Sequence, residues 1–397
     1  MSEIHCKFNS RRVSGPDGKV DEVLPGGTLK SVIRFHRSLP GYRPTPLACL
    51  EGLASRLGIG GLWVKSENER FDLKAFKVLG ASYAIGKVTA ERLGLESKDL
   101  TFDRIVSHSG EGEGITFVTA TDGNHGRAVA WTAEKLGCRA VVYMPKGSSS
   151  ARLNAIRGHG AEASVIDGNY DDAVRLAARH ADDRGWVLLQ DTSWPGYEEI
   201  PTYIMQGYTT LITESFDQLG GERPTHIFVQ AGVGSLAAAV LCAVLKKGER
   251  PWYGVVEPIE AACFHKSSVA DDGAAHAVTG DMPTIMAGLA CGEPSNIAWE
   301  ILRDNADAFI ACSDRVALKG MRLLGRPPEG DLPVISGESG AVTSGLVYEL
   351  LSNANYAGPA QEIGLNESSR VLVISTEGDT DPQFYRETLK RKSVGTI

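Results

Sequence analysis

The amino-acid sequence predicts an α/β protein in which helices cover both faces of mostly parallel sheets. Short β-rich runs alternate with segments of helical length along the 397-residue chain. Several of these runs are continuously apolar, as strands buried on both faces of a parallel sheet must be. The turns that follow them carry glycine and small polar residues. A chain of this length exceeds the size at which a single hydrophobic core stops growing, so we expect two lobes, each with its own sheet.

The chain begins with a polar, irregular stretch of about 40 residues, which we predict to be an arm that packs across the body or a partner subunit. A proline-stiffened stretch, 41–47, precedes a predicted helix near 49–57. Beyond it, helix-length segments separate runs rich in aliphatic and aromatic residues. The strands are predicted at 62–65, 115–119, 140–144, 163–166, 187–190, 226–230, 253–257 and 371–375.

Composition and charge argue against several classes of function. The formal net charge of −8 speaks against a nucleic-acid partner. The first residues contain no apolar core of a signal peptide, and the longest apolar run, 236–245, is too short to span a bilayer, so we expect no membrane partner. Seven cysteines without a C-x-x-C pair give no zinc pattern and suit a reducing compartment. We therefore predict a cytoplasmic protein without a metal site.

Lys77 is the first candidate catalytic residue. It lies just before a predicted helix of small residues, flanked by apolar Phe76 and Leu79. Gly80 allows another surface to approach closely. Burial of this kind lowers the pKa of a lysine and makes a neutral amine available for a Schiff base. The alternative is that Lys74 and Lys77 both lie on an exposed helical face.

Two candidate carboxylates follow strand ends, which is where open α/β sheets bind ligands. Asp122 and Asn124 lie in a glycine-containing turn after the strand 115–119; the first offers a carboxylate, and the second offers a donor and an acceptor. The same turn is also compatible with an ordinary Asp-Gly turn whose Asn124 caps the next helix. Asp191 follows the apolar strand 187–190, and it too could be only a cap.

A glycine-rich turn between a strong strand and a strong helix is the candidate phosphate site. Its small residues expose backbone N–H groups at a helix N-terminus, which suits a phosphate dianion. The same turn fits a dinucleotide fingerprint, Gly232-x-Gly234-x-x-Ala237, with Glu257 closing the next strand. The turn alone therefore leaves a phosphate loop and an NAD site open. Its residues are Gly232, Val233, Gly234, Ser235 and Leu236.

Hydroxyl groups follow the last predicted strand, near the C-terminus. The hydroxyl of Ser375 or Thr376 can hydrogen-bond a heteroaromatic nitrogen without charging it. Glu338 opens a further helix within the stretch 336–341. Both places are also compatible with ordinary helix starts.

Together these residues, in this order over roughly 40–385, resemble the pyridoxal-phosphate enzymes of the tryptophan-synthase β / threonine-dehydratase fold type, known as fold type II. The resemblance implies two lobes, each with a mostly parallel twisted sheet flanked by helices. We expect a larger cofactor-binding domain of 1–88 with 192–397 and a smaller substrate-closing domain of 89–191. The resemblance also implies pyridoxal 5'-phosphate as cofactor, a small amino-acid substrate and a homodimer. The expected cofactor contacts are Phe76 and Lys77 at the Schiff base, Asn124 on the phenolic oxygen, 232–236 around the phosphate, Glu338 beside the ring, and Ser375 with Thr376 at the pyridine nitrogen.

Two departures from the serine and threonine dehydratases indicate a narrower resemblance. Leu79 replaces the arginine of their lysine motif, and Asp122 replaces the second serine of their substrate loop. The chain is instead similar to the diaminopropionate ammonia-lyase family nearly from end to end. That similarity implies elimination of ammonia from D- or L-2,3-diaminopropionate, with pyruvate and a second ammonia as products. The stretches that carry it are 41–47, 121–127, 200–207, 285–294 and 375–380.

A substrate with an ammonium group on Cβ explains the added carboxylates, because a carboxylate is the natural partner of an ammonium in a partly desolvated site. We expect Lys77 and Asp122 to reach Cα from opposite faces of the cofactor. Asp122 would then take the proton of the D-isomer, and Lys77 or Asp191 that of the L-isomer. Either aspartate could instead hold the Cβ ammonium. The expected substrate contacts are Thr121, Asp122, Gly123, His125 and Asp191, with no chemistry assigned to His125.

Three alternative functions stay open on the sequence. Within the same fold, the protein could be a serine/threonine dehydratase or a β-replacement synthase, and Asp122 argues against both. An NAD-dependent dehydrogenase would use the dinucleotide fingerprint with Glu257 on the ribose, but it would leave Lys77 and Ser375 unexplained. A non-enzymatic binding module is disfavoured because the candidate residues Lys77, Asn124 and Ser375 are all present.

Overall fold

The structure is a computed structural model of the chain, and it describes residues 2–13, 18–96, 100–108, 114–121 and 123–391. Asp122, one of the predicted catalytic residues, lies outside these described residues. The chain divides into two compact units. The first comprises Met1–Glu22, Pro44–Ala75 and Leu211–Ile397, and the second comprises Val23–Arg43 and Phe76–Thr210.

Strands and helices alternate along most of the chain, as the sequence predicts. The strands are β1 (Ile4–Phe8), β2 (Leu47–Cys49), β3 (Gly61–Ser66), β4 (Thr116–Ala120), β5 (Arg139–Met144), β6 (Glu162–Val165), β7 (Val187–Leu188), β8 (His226–Gln230), β9 (Trp252–Pro258), β10 (Ala308–Cys312) and β11 (Arg370–Ser375). The helices are α1 (Gly18–Val23), α2 (Thr28–Ser38), α3 (Glu51–Leu57), α4 (Lys77–Arg92), α5 (Phe102–Val106), α6 (Asn124–Leu136), α7 (Ser150–Arg157), α8 (Tyr170–Arg184), α9 (Glu199–Gln218), α10 (Ser235–Lys246), α11 (Cys263–Ala270), α12 (Asn296–Asn305), α13 (Asp314–Gly325), α14 (Glu338–Ser352), α15 (Ala357–Ile363) and α16 (Pro382–Lys390).

The first unit is built on a seven-stranded sheet with the order β1-β10-β9-β8-β11-β3-β2. The inner strands run parallel, and β1 and β2 pair antiparallel at the two edges. Every residue of β3, β8 and β10 is buried, as expected for strands covered on both faces. Because parallel strands end at one edge of a sheet, β8 and β11 bring Gln230 and Ser375 to the same edge.

The helices α13 and α14 cross in backbone contact within the first unit. A Cβ added at Gly320 would lie 2.8 Å from the carbonyl carbon of Ala341 and 3.0 Å from the nitrogen of Gly345. A side chain at Gly320 would therefore push the helices apart. This contact fixes α14, whose first residue is Glu338.

The second unit contains a four-stranded parallel sheet with the order β6-β5-β4-β7. Its core packs Val118, Val141 and Leu188 of the sheet against Ala173 and Ala177 of α8. The strands β4 and β7 end at the same edge, because they are parallel neighbours. The segments 119–121 and 189–191, which hold predicted site residues, therefore meet there.

The α/β fold class is present as predicted. All eight predicted strands exist with ends displaced by about one residue, except that 187–190 is shortened to β7. The prediction of an irregular arm over the first 40 residues is wrong, because β1, α1 and α2 lie there. In β1, polar His5 and Lys7 alternate with apolar residues, and pairing with β10 makes this stretch a strand. The strands β2 and β10 were not predicted either.

The compact units have different bounds from the predicted domains of 1–88 with 192–397 and 89–191. The helix α4 belongs wholly to the second unit, where it packs on α6. The chain's N-terminal part joins this unit as well, since Gln206 donates to the carbonyl of Val23 at 2.8 Å. As functional domains, the predicted ranges stay a prediction. In the ranges that the structure describes, no helix has the length and apolar character needed to cross a membrane.

Candidate active site

Lys77 is the first residue of α4, in the second unit. The helix is made of small and apolar residues, and its first two turns are almost wholly buried. At Gly80 an added Cβ would lie 2.5 Å from Cε1 of Tyr208, and at Gly207 it would lie 2.8 Å from Cα of Gly80. The glycines therefore let α4 and α9 cross at backbone distance, which holds the helix that carries Lys77.

Lys77 forms an ion pair with Asp191, to whose Oδ2 its Nζ donates a hydrogen bond. The Lys77 side chain is 21% exposed and that of Asp191 is 9% exposed. His125 lies close to the pair: its Nδ1 is 3.9 Å from Asp191 Oδ2, and its Nε2 bonds the carbonyl of Leu189 at 2.9 Å. The structure thus brings together three predicted site residues from separate parts of the chain.

The electrostatics of this cluster keep Asp191 ionised. Burial by itself raises the pKa of the carboxyl, but the charge of Lys77, the proximity of His125 and the hydrogen bond from Lys77 lower this pKa by more than burial raises it. The resulting pKa of Asp191 is about 2, below its ordinary value of 3.8. Asp191 is therefore a carboxylate throughout the physiological range, suited to holding a cation.

The end of β7 positions Asp191 through residues that the sequence did not single out. The amide oxygen of Gln190 accepts from the Thr119 hydroxyl at 2.7 Å, and its Nε2 donates to the carbonyl of Ala120 at 3.0 Å. Tyr197 accepts from the backbone N–H of Gln190 and donates to the carbonyl of Leu188, both at 2.9 Å. These bonds tie the strand end to β4. No local pattern marks Gln190 or Tyr197, because their partners lie on other strands and turns.

The predicted substrate loop lies at the adjoining strand end. The Thr121 hydroxyl accepts from the N–H of Gly123 at 3.0 Å, and Asn124 opens α6. A Cβ on Gly126 would lie 2.7 Å from Cγ1 of Val142, so only glycine fits there. The loop is thus fixed by its own hydroxyl and by close packing of α6. The predicted Asp122 lies outside the described residues.

In the first unit, the glycine-rich turn joins β8 to α10. Gly234 has a φ of +90°, in the left-handed region, and a Cβ there would meet the ring of Phe264. At Gly232 a Cβ would lie 3.1 Å from Cys291 Sγ and from the carbonyl oxygen of Gly288. The turn therefore has to be glycine, and it leads into the N-terminus of α10 at Ser235 and Leu236. The backbone of Val233 is held by an N–H from Ser295 at 2.9 Å.

The predicted hydroxyls lie at the end of β11 in a buried polar network. Ser375 is fully buried and donates to the Ser336 hydroxyl at 2.7 Å. Gln230 Nε2 donates to Thr376 Oγ1 at 3.1 Å and to the carbonyl of Ser339 at 2.9 Å. Gln230 and Ser336 are further residues that the sequence did not mark. Glu338, also predicted, is buried at the start of α14.

The residues present fit pyridoxal 5'-phosphate. Lys77 offers an amine, and the turn 232–236 leads into the N-terminus of α10, where backbone N–H groups suit a phosphate. Ser375 offers a hydroxyl, a group that can hydrogen-bond a pyridine nitrogen without protonating it. Among the described residues, the buried Oγ of Ser339 and Oε1 of Gln230 have no hydrogen-bond partner, which suits a polar ligand near this network.

These features define a pyridoxal-phosphate enzyme, and a family model described as pyridoxal-phosphate dependent enzyme matches residues 38–377. The chain is 52% identical over 392 residues to the diaminopropionate ammonia-lyase of Salmonella typhimurium, covering 97% of each chain. It is 46% identical to that of Escherichia coli K12, covering 94% of each. The chain belongs to the diaminopropionate ammonia-lyase family.

Solved structures agree with this assignment. Holo diaminopropionate ammonia lyase from Escherichia coli matches with a TM-score of 0.89 and 44% identity, covering 98% of this chain and 96% of that one. The same enzyme in complex with D-serine matches with the same TM-score and identity, covering 97% of that chain. Processed threonine deaminase from Solanum lycopersicum, with a TM-score of 0.71 at 18% identity, shows the fold alone. The predicted family, fold type II and pyridoxal 5'-phosphate are thereby confirmed.

The family leaves the dehydrogenase alternative without support, and so does the geometry of Glu257. Its carboxyl oxygens accept hydrogen bonds from the backbone N–H groups of Phe264 at 2.8 Å and His265 at 2.7 Å. Glu257 therefore caps the start of α11 and is fully buried. A ribose-binding carboxylate has to present its oxygens to a ligand instead.

Proposed function

We propose that the protein eliminates ammonia from 2,3-diaminopropionate and that the product hydrolyses to pyruvate and a second ammonia. The observation that carries this proposal is the ion pair between half-buried Lys77 and buried Asp191, which places the lysine next to a permanent carboxylate. Full-length identity of 46–52% to diaminopropionate ammonia-lyases supports it. When bound, pyridoxal 5'-phosphate supplies the electron sink that stabilises the charge left on Cα.

Lys77 is the proposed base for the L-isomer. As an amine it can take the Cα proton, provided that it is deprotonated when the substrate is present. Asp191 opposes this as long as it contacts Lys77, because a neighbouring carboxylate favours the ammonium form. The substrate's Cβ ammonium offers Asp191 another cation. We infer that Asp191 holds this ammonium, and that the exchange of partners releases Lys77 to act.

An ammonium on Cβ has to stay protonated to leave as ammonia. A carboxylate with a pKa of about 2 stabilises that protonated form, so Asp191 supports departure without giving up a proton itself. This assigns Asp191 the ammonium-holding role among those predicted for it. Asp122 is then the proposed base for the D-isomer.

The cofactor contacts proposed from the sequence fall into two groups. In the second unit, Lys77 would carry the cofactor, with Phe76 beside it and Asn124 on the phenolic oxygen. In the first unit, the residues 232–236 would hold the phosphate, and Glu338 would lie beside the ring. Ser375, with Thr376, would donate a hydrogen bond to the pyridine nitrogen and leave it unprotonated, which favours elimination over transamination.

We also infer a cytoplasmic homodimer that serves amino-acid catabolism. None of the seven cysteines, all of which the structure describes, forms a disulfide, and this suits a reducing compartment. The homodimer rests on the family resemblance. Light scattering of the purified protein would test it, and a monomeric mass at micromolar concentration would refute it.

Pyruvate release from D- and L-2,3-diaminopropionate, serine and threonine tests the proposed function. We expect rapid release from both diaminopropionates and slow release from the hydroxy amino acids. The reason is that Asp191 pairs with an ammonium and gains nothing from a hydroxyl. Preference for serine or threonine would instead establish a dehydratase and refute the argument from the carboxylates.

A further inference from the structure

Tyr208 is a buried residue that the proposed chemistry leaves without a role. It lies on α9 and is 1% exposed. Its hydroxyl has no hydrogen-bond partner among the residues that the structure describes. A buried hydroxyl without a partner is costly, and such a group in a native protein calls for an explanation.

Close packing of two helices fixes the Tyr208 ring. A Cβ on Gly80 of α4 would lie 2.5 Å from Cε1 and 2.8 Å from Cζ of Tyr208. The neighbouring Gly207 contacts the backbone of Leu79 and Gly80 in the same way. The ring therefore occupies space that Gly80 leaves open, while Gly207 keeps the two helices at backbone distance.

The fixed ring and Lys77 share Phe76 as a neighbour. It packs on the ring of Phe76 with 4.7 Å between centroids, and Lys77 Nζ lies 5.5 Å from the centroid of the same Phe76 ring. Burial raises the pKa of Tyr208, and the charges of Lys77 and Asp191 both act on it. Tyr208 is thus a neutral hydroxyl within the electrostatic reach of the ion pair.

We propose that Tyr208 is a positioning residue for Lys77: its hydroxyl accepts a hydrogen bond from Nζ when the amine leaves Asp191. A neutral oxygen does not favour the ammonium form as a carboxylate does. It can hold a deprotonated amine through one N–H, so that the lone pair stays free to take a proton. This inference rests on the proposed function, in which Lys77 takes the Cα proton of the L-isomer.

The variant Tyr208→Phe removes the hydroxyl and keeps the ring. We expect kcat for L-2,3-diaminopropionate to fall about tenfold with KM within about twofold, because one hydrogen bond that orients the base is lost. We expect the melting temperature of the cofactor-free protein to stay the same or rise by about 1–3 °C, since a buried hydroxyl without a partner is removed.

A third readout does not depend on turnover. The cofactor-free protein is mixed with pyridoxal 5'-phosphate, and the visible absorbance that follows its bonding to lysine is recorded over time. We expect this capture to be several-fold slower in Tyr208→Phe, because the same amine is less well oriented.

Tyr253→Phe is the matched control. Tyr253 is fully buried in the first unit, but its hydroxyl donates to the carbonyl of Ala237 at 2.7 Å. Removing this hydroxyl should lower the melting temperature by about 1–3 °C and leave kcat and the rate of cofactor capture unchanged.

The outcomes separate this inference from the proposed function. Capture by Tyr208→Phe at the parent rate overturns the inference, and so does a melting temperature that falls as in Tyr253→Phe. Unchanged kcat in an active enzyme overturns it too. If the parent protein releases no pyruvate from diaminopropionate, the proposed function fails, while slower capture still supports the placement of Tyr208.

Discussion

Replacing Asp191 by asparagine tests the electrostatic argument for the candidate site most directly. The amide has nearly the same shape as the carboxylate, so packing at the end of β7 is preserved while the charge next to Lys77 is removed. The cofactor-free protein is the right material, because there the Lys77 side chain is not bonded to the cofactor.

The magnitude follows from the pKa of Asp191, which falls from 3.8 to about 2 on folding. Each pKa unit is worth about 1.4 kcal/mol, so the ionised carboxylate stabilises the fold by about 2.5 kcal/mol. Since the folded pKa lies below the unfolded one, this stability is complete above about pH 4. It is lost as the pH falls through about 2. Asp191→Asn should therefore lower the free energy of unfolding by about 2.5 kcal/mol at pH 7.

Urea titrations at pH 7 and at pH 2.5 to 3 measure the difference between the variant and the parent. The matched control is Asp379→Asn, because Asp379 pairs with Lys74 at 2.7 Å while the two side chains are 24% and 41% exposed. We expect Asp379→Asn to lower the free energy of unfolding by less than about 1 kcal/mol, because this pair is more exposed to solvent. The electrostatic argument is refuted if Asp191→Asn lowers the free energy of unfolding as much in acid as at pH 7. It is also refuted if the loss at pH 7 is no larger than in Asp379→Asn.

Three further predictions concern Asp122, Arg70 and Glu257. Asp122→Asn should reduce pyruvate release from D-2,3-diaminopropionate about a hundredfold more than release from the L-isomer, as loss of a specific base would; equal losses contradict the division of labour. Arg70→Met leaves the buried carboxylates of Glu67 and Glu214 without the guanidinium that bonds both. The free energy of unfolding in urea should therefore fall by about 3–5 kcal/mol, and a change below about 1 kcal/mol contradicts this prediction. Burial raises the pKa of Glu257 to about 8, so the parent protein should lose stability as the pH rises from about 4.5 to 8, whereas Glu257→Gln should not. If the melting temperatures of parent and variant change equally between pH 5 and pH 9, this prediction is wrong.

Local features of the sequence were sufficient to predict the strands and the class of cofactor. Continuous apolar runs such as β8 are buried whatever surrounds them, so their sequence predicts them. The glycine-rich turn and Lys77 are likewise local, since a backbone that has to expose N–H groups needs glycine in its own sequence. The edge strand β1 was missed because its alternating polar residues depend on β10 for pairing.

The sequence by itself determined the α/β class, the amine at Lys77, the glycine-rich turn and the hydroxyls at the end of β11, because these depend on residues close together in the chain. Only the tertiary structure decided which groups act on one another. Asp191 holds Lys77 across a sequence separation of 114 residues. Gln190 binds the end of β7 to Thr119 of β4. Gly80 leaves room for the ring of Tyr208, which packs on Phe76 next to Lys77. Pairwise contacts of this kind arise when parallel strands end at one edge and helices cross, and no local pattern records them.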